Sequence, residues 1–256
     1  MKDFLKPVTV GPRPTDPEKS RYVRSYLIMR IVVGALGIAL PFLLVLVDGI
    51  WLDGDPFPRT SLSSYYYSGV RELFVGALSA IGIFLVTYKV AESSLDNTLS
   101  LLAGAAVVVV ALFPTARSED AVALTPMQDR LGESVVETIH FVAAAVFIGS
   151  LAVISYFFGK REGARPALEG KRRSRRFWRL YHWACAGAIV LALLFIAVTE
   201  LSGSGPRNSL LYGEAVAVLA FGASWLWKGL ELDMLRGHPA PRVGEAAGET
   251  GAGPNA

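Results

Sequence analysis

The run LLAGAAVVVVAL, residues 101–112, decides the fold class, because it has no polar side chain and no alternation of apolar with polar positions. A strand of a membrane barrel alternates apolar and polar residues over about 9 to 11 positions. A helix that crosses about 30 Å of hydrocarbon instead needs about 20 residues that are apolar nearly throughout. The run, extended by its neighbours to residues 98–114, therefore predicts a membrane helix rather than a barrel strand.

The composition of the whole chain agrees with a membrane protein. Of its 256 residues, 52% are hydrophobic and 18% are charged, a balance too apolar for one soluble core. Six runs have about the length of a membrane span: residues 26–47, 71–90, 98–114, 136–158, 177–201 and 211–228. Small residues inside these runs predict close helix packing: Gly76, Ala80, Ala184, Gly187 and Ala188. The sequence thus predicts an all-α fold, a six-transmembrane-helix bundle.

The chain divides into three parts by composition. A cytoplasmic polar head is predicted at residues 1–25, a six-helix membrane domain at 26–230 and a disordered cytoplasmic tail, rich in Gly and Ala, at 231–256. The first apolar run follows a long polar head and lacks a cleavage site, so we expect it to remain as a membrane anchor. The single cysteine, Cys185, excludes an intrachain disulfide.

Basic residues indicate which helix ends face the cytoplasm, because connections rich in Lys and Arg stay on that side. The head and the fourth connection are basic: Lys2, Lys6, Arg13, Lys19, Arg21 and Arg24, then Lys160, Arg161, Arg165, Lys171, Arg172, Arg173, Arg175, Arg176 and Arg179. The first and third connections carry acids: Asp48, Asp53 and Asp55, then Glu119, Asp120, Asp129 and Glu133. We therefore predict that the N-terminus and the C-terminus are both cytoplasmic.

The densest basic cluster, KRRSRRFWRLYHW at residues 171–183, has two interpretations. Clustered cations at the cytoplasmic surface attract anionic lipids. The positive-inside rule already accounts for the same residues, with Trp178, Tyr181 and Trp183 as an interfacial belt. Membrane lipids are the expected partners under both interpretations. No nucleic-acid partner is expected, because topology explains where the basic residues lie and they form no aromatic-lined groove pattern.

Polar chemistry concentrates in SLSSYYYSGVREL, residues 61–73, which the predicted topology places at the outer surface. At the same level, the i, i+4, i+7 spacing of Glu133, Glu137 and His140 puts them on one helix face. Ionisable groups within a membrane usually face a bundle interior or water, so we predict an outward-facing polar pocket. Its candidate ligand-binding residues are Ser63, Tyr66, Arg71, Glu72, Glu137, His140, Glu200 and Glu214.

A structural interpretation fits the same residues. Helix ends are where charged side chains cost least, and tyrosines such as residues 65–67 commonly anchor in the headgroup region. A guanidinium partly removed from water needs a carboxylate or phosphate partner. We therefore expect Arg71 to pair with at least one of Glu137, Glu200 and Glu214.

A multi-histidine metal site is excluded by the depths of the three histidines. His140 lies near the outer surface, His182 begins the fifth helix at the inner surface, and His238 lies in the tail. With spans of about 30 Å between the surfaces, these side chains cannot share one metal. We expect no metal and no cofactor.

Two other functions, serine hydrolysis and transport, are indicated more weakly by the sequence. A serine hydrolase would use Ser61, Ser63 or Ser64 with His140 and Glu137, although no nucleophile elbow of the G-x-S-x-G type is present. Transporters usually carry broken helices or charges deep in the bilayer. The middles of the third and fifth helices carry no charge, so transport is weakly indicated.

Four stretches together resemble a known family: SLSSYYYSGVRELFVGALSAIGIFLVTYK, VVALFPT, IHFVAAAVF and FGASWLWKG. Over residues 26–230 the chain resembles a bacterial six-helix membrane family labelled only as a domain of unknown function, and it is distantly similar to DRAM- and Sfk-type membrane proteins. The resemblance implies the six-helix fold, the bacterial inner membrane and no established activity. Family features would fall on Ser63, Tyr66, Arg71, Phe113, Pro114, Thr115, His140 and Lys228.

These observations predict a multi-pass membrane protein that binds a lipid headgroup or a small polar ligand in its outward polar pocket. One alternative is a membrane-embedded lipid hydrolase that uses Ser and His. The other is a structural or assembly membrane protein.

Overall fold

The computed structural model describes residues 17–51, 58–87, 94–117, 123–164 and 172–236. Some of the sequence predictions concern residues outside these ranges. They are the head before residue 17, the tail after residue 236, and the loop or tail residues Asp53, Asp55, Glu119, Asp120, Arg165, Lys171 and His238.

The described chain is helical, and no strand occurs in these ranges, so the all-α prediction is confirmed. A π-helical turn, Val47–Trp51, continues the first helix, and a 3-10 helix, Ser63–Tyr67, precedes the second. The α-helices are α1 (Pro17–Leu46), α2 (Arg71–Thr87), α3 (Ser94–Leu112), α4 (Pro126–Leu131), α5 (Glu133–Ala164), α6 (Arg172–Ser202) and α7 (Ser209–Arg236). Helix α1 begins inside the predicted polar head, and α7 extends into the predicted tail.

Five helices are long and apolar enough to cross a membrane, judged by length and composition. These spans are Ile28–Trp51, Leu95–Leu112, Glu133–Glu162, Arg176–Ser202 and Ser209–Leu230. Helix α2 is equally apolar, but its described part has only 17 residues. These five helices are therefore compatible with the predicted multi-pass membrane protein, and the sixth crossing remains a prediction.

Neighbouring helices pack in the order α2, α3, α5, α6, α7 and α1, and α1 returns to α2 through a lighter contact. Consecutive long helices in this order run in opposite directions, as the contacts of Ser100 on α3 with Leu85 on α2 and of Gly34 and Gly37 on α1 with Leu226 and Gly222 on α7 show. We call the end where α1, α3 and α6 finish and α2, α5 and α7 begin the Ser63 end. The opposite end is the Lys228 end.

Glycines set two of the closest helix contacts. A Cβ on Gly34 of α1 would lie 2.5 Å from the backbone nitrogen of Leu226 on α7, and a Cβ on Gly104 of α3 would lie 2.7 Å from the carbonyl oxygen of Gly82 on α2. Small residues permit such backbone approaches in membrane bundles. Close packing was also predicted at Gly76 and Gly187. A Cβ on either glycine would have no atom of another helix within 4 Å, so that detail is wrong.

Large apolar side chains cover the outside of the bundle. They include Trp51, Ile83, Leu191, Val198 and Leu201, all more than half exposed. A soluble protein rarely exposes so much contiguous apolar surface. This surface fits a hydrocarbon environment around the helices.

Candidate functional site

The segment that follows α1 forms the centre of the Ser63 end. Ser61 and Ser64 bond to each other: the Ser64 backbone N–H donates to Ser61 Oγ at 2.9 Å, and Ser64 Oγ donates to the Ser61 carbonyl oxygen at 2.7 Å. The backbone N–H of Leu211 on α7 donates to the Thr60 carbonyl oxygen at 2.9 Å. These bonds close a tight turn and hold the 3-10 helix against α7.

Glu214 of α7 accepts hydrogen bonds from the start of that 3-10 helix. The Leu62 backbone N–H donates to Glu214 Oε2 at 2.5 Å, and Ser63 Oγ lies 3.2 Å from Glu214 Oε1. Backbone N–H groups at a helix start have no partner within the helix, and a carboxyl group is a natural acceptor for them. Glu214 therefore fixes the position of Ser63.

His140 of α5 reaches the same serine from the other side. Its Nε2 lies 3.0 Å from Ser63 Oγ, and its Nδ1 donates to the Phe113 carbonyl oxygen at 2.6 Å, just after the end of α3. The imidazole is 1% exposed. The Ser63 hydroxyl thus lies between a buried imidazole and a carboxyl group. We call Ser63, His140 and Glu214 the serine cluster.

The neighbouring tyrosines pack inside the bundle. Tyr65 and Tyr66 are buried, and the Tyr67 hydroxyl donates to the Thr115 carbonyl oxygen at 2.7 Å and accepts from Gln128 Nε2 at 2.7 Å. Burial raises the pKa of the Tyr67 hydroxyl above its ordinary value, because a phenolate would lose its water. These contacts do not fit the headgroup-belt interpretation, since buried rings stabilise the bundle end instead.

Arg71 does not form the predicted ion pair with a glutamate among the described residues. Its Nη2 donates to the Tyr66 hydroxyl at 2.5 Å, and its guanidinium lies 4.2 Å from the Tyr66 ring centroid. Arg71 begins α2 and is exposed, while the carboxyl of Glu214 already binds the 3-10 helix. The two groups are therefore engaged by different partners.

The eight candidate residues separate into three sets. The serine cluster is one connected set, and Tyr66 with Arg71 is a second. The other candidates have no side-chain hydrogen bond or ion pair with any residue in the described ranges: Glu72 and Glu200, which are exposed, and Glu137, which is half-buried. Glu133, Glu137 and His140 were predicted to share one helix face, but they do not form one site. Glu133 is paired with Arg117 instead, with 3.0 Å between Glu133 Oε1 and Arg117 Nε.

A second polar cluster, which was not predicted from the sequence, lies at the Lys228 end. Lys228 of α7 and Glu162 of α5 form an ion pair, and both side chains are buried. The Arg30 guanidinium lies 4.7 Å from the Phe158 ring centroid and 5.2 Å from that of Trp225. We call this group, with His182 and Ser224 bonded at 2.9 Å, the lysine cluster.

A sequence pattern could have revealed this cluster. Ser224, Trp225 and Lys228 have i, i+1, i+4 spacing on α7, so Ser224 and Lys228 lie on one face. Arg30 lies within the first apolar run, where it is a charged residue in a predicted membrane span. A cavity of about 260 Å³ also opens beside Arg30 and Trp225, lined by Val33, Ile83 and Thr87 among others.

The described residues contain no group of three His, Cys, Asp or Glu side chains that could hold a metal ion. The serine cluster instead offers a hydroxyl that two titratable groups contact at once. Such a centre can bind a polar group, supply a nucleophile or hold a proton. Comparison with known proteins gives no match to a family model, a curated protein or a solved structure. The resemblance drawn from the sequence therefore stays a prediction.

Proposed function

We propose that the chain is a six-span protein of the bacterial inner membrane, with the Ser63 end facing outward and both termini in the cytoplasm. Helix α2 supplies the sixth crossing in this proposal. Two observations support it: α1 begins and α7 ends at the Lys228 end, and the connection from Lys160 to Arg179 at that end is dense in Lys and Arg.

Cysteine labelling tests this orientation. In a Cys185→Ala background, Ser204→Cys at the Ser63 end should react in intact cells with a thiol reagent that cannot cross membranes. Lys160→Cys at the Lys228 end should react only after the cells are opened. Both positions are exposed in the structure, so burial inside the protein cannot explain a difference. The reverse labelling pattern would place the Ser63 end in the cytoplasm.

The function that the geometry supports best is binding of a lipid headgroup or a small polar ligand at the Ser63 end. The observation that carries this proposal is the Ser63 hydroxyl, which is buried and in contact with both His140 and Glu214. Ionisable groups within membrane spans cost about 2.5 to 3.5 kcal/mol at the centre, so such residues are functional candidates by default. Packing alone would not require them.

Arg71 indicates which chemical group the proposed ligand carries. Arg71 Nη2 donates to the Tyr66 hydroxyl, and Arg71 is exposed at the start of α2. Its planar fork suits the paired oxygens of phosphate or carboxylate. We therefore propose that Arg71 contacts an anionic group of the ligand, while the serine cluster holds the adjacent segment in place.

Binding of short-chain phosphatidylglycerol to the purified protein tests this role. Arg71→Ala should raise the Kd about tenfold, which corresponds to about 1.4 kcal/mol. Arg71→Lys should not fully restore affinity, because an ammonium lacks the bidentate fork. Arg207→Ala is the matched control, since Arg207 is exposed at the same end. Equal increases of the Kd in Arg71→Ala and Arg207→Ala would show that general surface charge, and not a specific site, binds the lipid.

Inorganic phosphate is the second probe, because it separates a headgroup site from a small-anion site. If the lipid competes with phosphate and both depend on Arg71, the shared chemistry is the phosphate group. If only the lipid binds, the glycerol or acyl part contributes. If neither binds, the proposed function is wrong.

The contact between Ser63 and His140 favours a second candidate, a membrane-embedded hydrolase. The Phe113 carbonyl orients the imidazole, so that Nε2 faces the hydroxyl as a general base would. The acid at this site is Glu214, whereas the sequence interpretation used Glu137. One feature opposes the candidate: Glu214 occupies the Leu62 N–H, which could otherwise stabilise an oxyanion.

Labelling with a fluorophosphonate probe decides on this candidate. A nucleophilic Ser63 should label in the wild type and lose labelling in Ser63→Ala and His140→Phe. Ser150→Ala should label normally, because that buried hydroxyl donates only to a carbonyl of its own helix. Absence of wild-type labelling would remove the hydrolase candidate and leave the binding proposal standing.

A further inference from the structure

The contacts around Ser63 fix how many hydrogens the serine cluster must hold. Three contacts run in series: His140 Nδ1 to the Phe113 carbonyl oxygen at 2.6 Å, His140 Nε2 to Ser63 Oγ at 3.0 Å, and Ser63 Oγ to Glu214 Oε1 at 3.2 Å. Each hydrogen bond needs one hydrogen between its two atoms. A carbonyl oxygen only accepts, so the first hydrogen is on Nδ1.

The remaining two contacts need two hydrogens, and the serine hydroxyl supplies one of them. A neutral imidazole that carries its hydrogen on Nδ1 has none on Nε2, and an ionised carboxylate has none either. The complete series therefore contains one additional proton. It lies either on His140 Nε2, which gives an imidazolium beside a carboxylate, or on Glu214 Oε1, which gives a neutral imidazole beside a carboxylic acid.

We propose that Glu214, Ser63 and His140 form a proton-binding relay, in which the serine hydroxyl passes one proton between the carboxyl and the imidazole. In one direction, the Nε2 proton moves to Ser63 Oγ while the hydroxyl's own proton moves to Glu214 Oε1. The reverse step restores both bonds. The total charge of the three groups stays the same, and the Leu62 N–H donates to Oε2 in both arrangements.

Burial decides which arrangement dominates. Separated charges lose more hydration energy in apolar surroundings than neutral groups do, so the resting proton lies on Glu214 and His140 is neutral. Other charged or titratable groups on the surrounding elements take no part in the three contacts. They include Asp48 and Arg59 after α1, Tyr67, Arg71 of α2, Arg117 after α3, Glu133 and Glu137 of α5 and Glu200 of α6.

The relay deepens the proposed function, because it uses the same three residues that are proposed to support ligand binding. It rests on the proposed function only through this shared site. A ligand that takes over a hydrogen bond of Ser63 would break the series and release or capture the proton. The relay itself is measured without any ligand. Its failure would leave the binding proposal intact, and absence of binding would leave the proton measurement intact.

A proton count on the purified, ligand-free protein at neutral pH tests the relay. Nitrogen NMR of histidine-labelled protein reports the hydrogens on each ring nitrogen, and His140→Phe assigns the His140 signals. Infrared spectroscopy reports a protonated carboxyl, and Glu214→Gln assigns its band. We expect a protonated Glu214 beside a neutral His140. One shared proton at either position agrees with the relay, whereas an ionised Glu214 beside a neutral His140, or protons on both, would overturn it.

Titration toward high pH tests the connection through Ser63. Because the series needs its proton, the Glu214 band and the His140 Nε2 signal should change at one common midpoint. Ser63→Thr retains the hydroxyl and should retain the common midpoint, as should the control Ser150→Ala. Ser63→Ala should separate the two changes. A common midpoint that persists in Ser63→Ala would overturn the role of the hydroxyl.

Discussion

The two ends of the bundle bury polar groups by different chemical means. At the Lys228 end, Lys228 is paired with the opposite charge of Glu162, and the Arg30 guanidinium lies against two aromatic rings. At the Ser63 end, a hydroxyl is shared by an imidazole and a carboxyl. A charged pair is costly to break, whereas a shared proton can move. The difference indicates a fixed, stabilising lysine cluster and an adaptable serine cluster.

Breaking the lysine cluster should have the largest effect on stability. Lys228→Met removes the cation beside buried Glu162 and should lower the free energy of unfolding by about 3 to 5 kcal/mol. The double variant Lys228→Met, Glu162→Leu should recover most of this loss, because it removes both charges together. Reversible unfolding in mixed micelles measures the change. Lys160→Met is the control, since Lys160 is exposed two residues before Glu162 and lies on a different side of α5.

A double variant as unstable as Lys228→Met alone would contradict this comparison. It would mean that the lysine cluster does more than balance two charges. The serine cluster would then not differ from it in kind.

Removing the central hydroxyl of the serine cluster should have a smaller effect. Ser63→Ala deprives the buried Nε2 of His140 and the carboxyl of Glu214 of a shared partner, which should cost about 1 to 3 kcal/mol. Ser150→Ala on α5 should cost less, because its hydroxyl donates to the Val146 carbonyl within the helix. The same unfolding measurement compares them. A loss in Ser63→Ala as large as in Lys228→Met would show that the two clusters stabilise the bundle alike.

The smallest expected effect concerns Tyr67, whose raised pKa links stability to alkaline pH. Its ordinary value is 10.0, and burial raises the folded value above it. The folded state thus holds the Tyr67 proton more tightly than the unfolded state does. The contribution of Tyr67 to the free energy of unfolding is therefore complete below pH 10.0 and falls as pH rises through the folded pKa. The stability difference between wild type and Tyr67→Phe should therefore be constant up to that pH and shrink above it. A difference that grows with pH would contradict the assignment.

The sequence predicted the helices well because each long apolar run can satisfy its backbone only as a helix inside hydrocarbon. Hence α5, α6 and α7 contain the predicted runs. Boundaries were less certain, since α1 continues through polar residues to Pro17. Polar surroundings do not stop a helix that has begun in the membrane.

The candidate site was predictable only in part. Depth along a helix follows from position, so Ser63, His140 and Glu214 were correctly assigned to one end. Which side chains meet depends on helix rotation and on the turn made by Ser61 and Ser64, and neither follows from spacing within one helix. For the same reason Arg71 was assigned a glutamate partner, whereas its guanidinium contacts Tyr66, and the pairing of Glu162 with Lys228 was missed.

We propose that the ligand binds at the Ser63 end and not in the cavity of about 260 Å³ beside Arg30 at the Lys228 end. The most direct test compares two variants in one phosphatidylglycerol binding assay: Arg71→Ala at the first site, and Ile83→Trp, which fills the second. We predict that Arg71→Ala raises the Kd about tenfold, while Ile83→Trp leaves it within about twofold. Loss of binding in Ile83→Trp with wild-type affinity in Arg71→Ala would contradict the claim and assign the lipid to the Lys228 end.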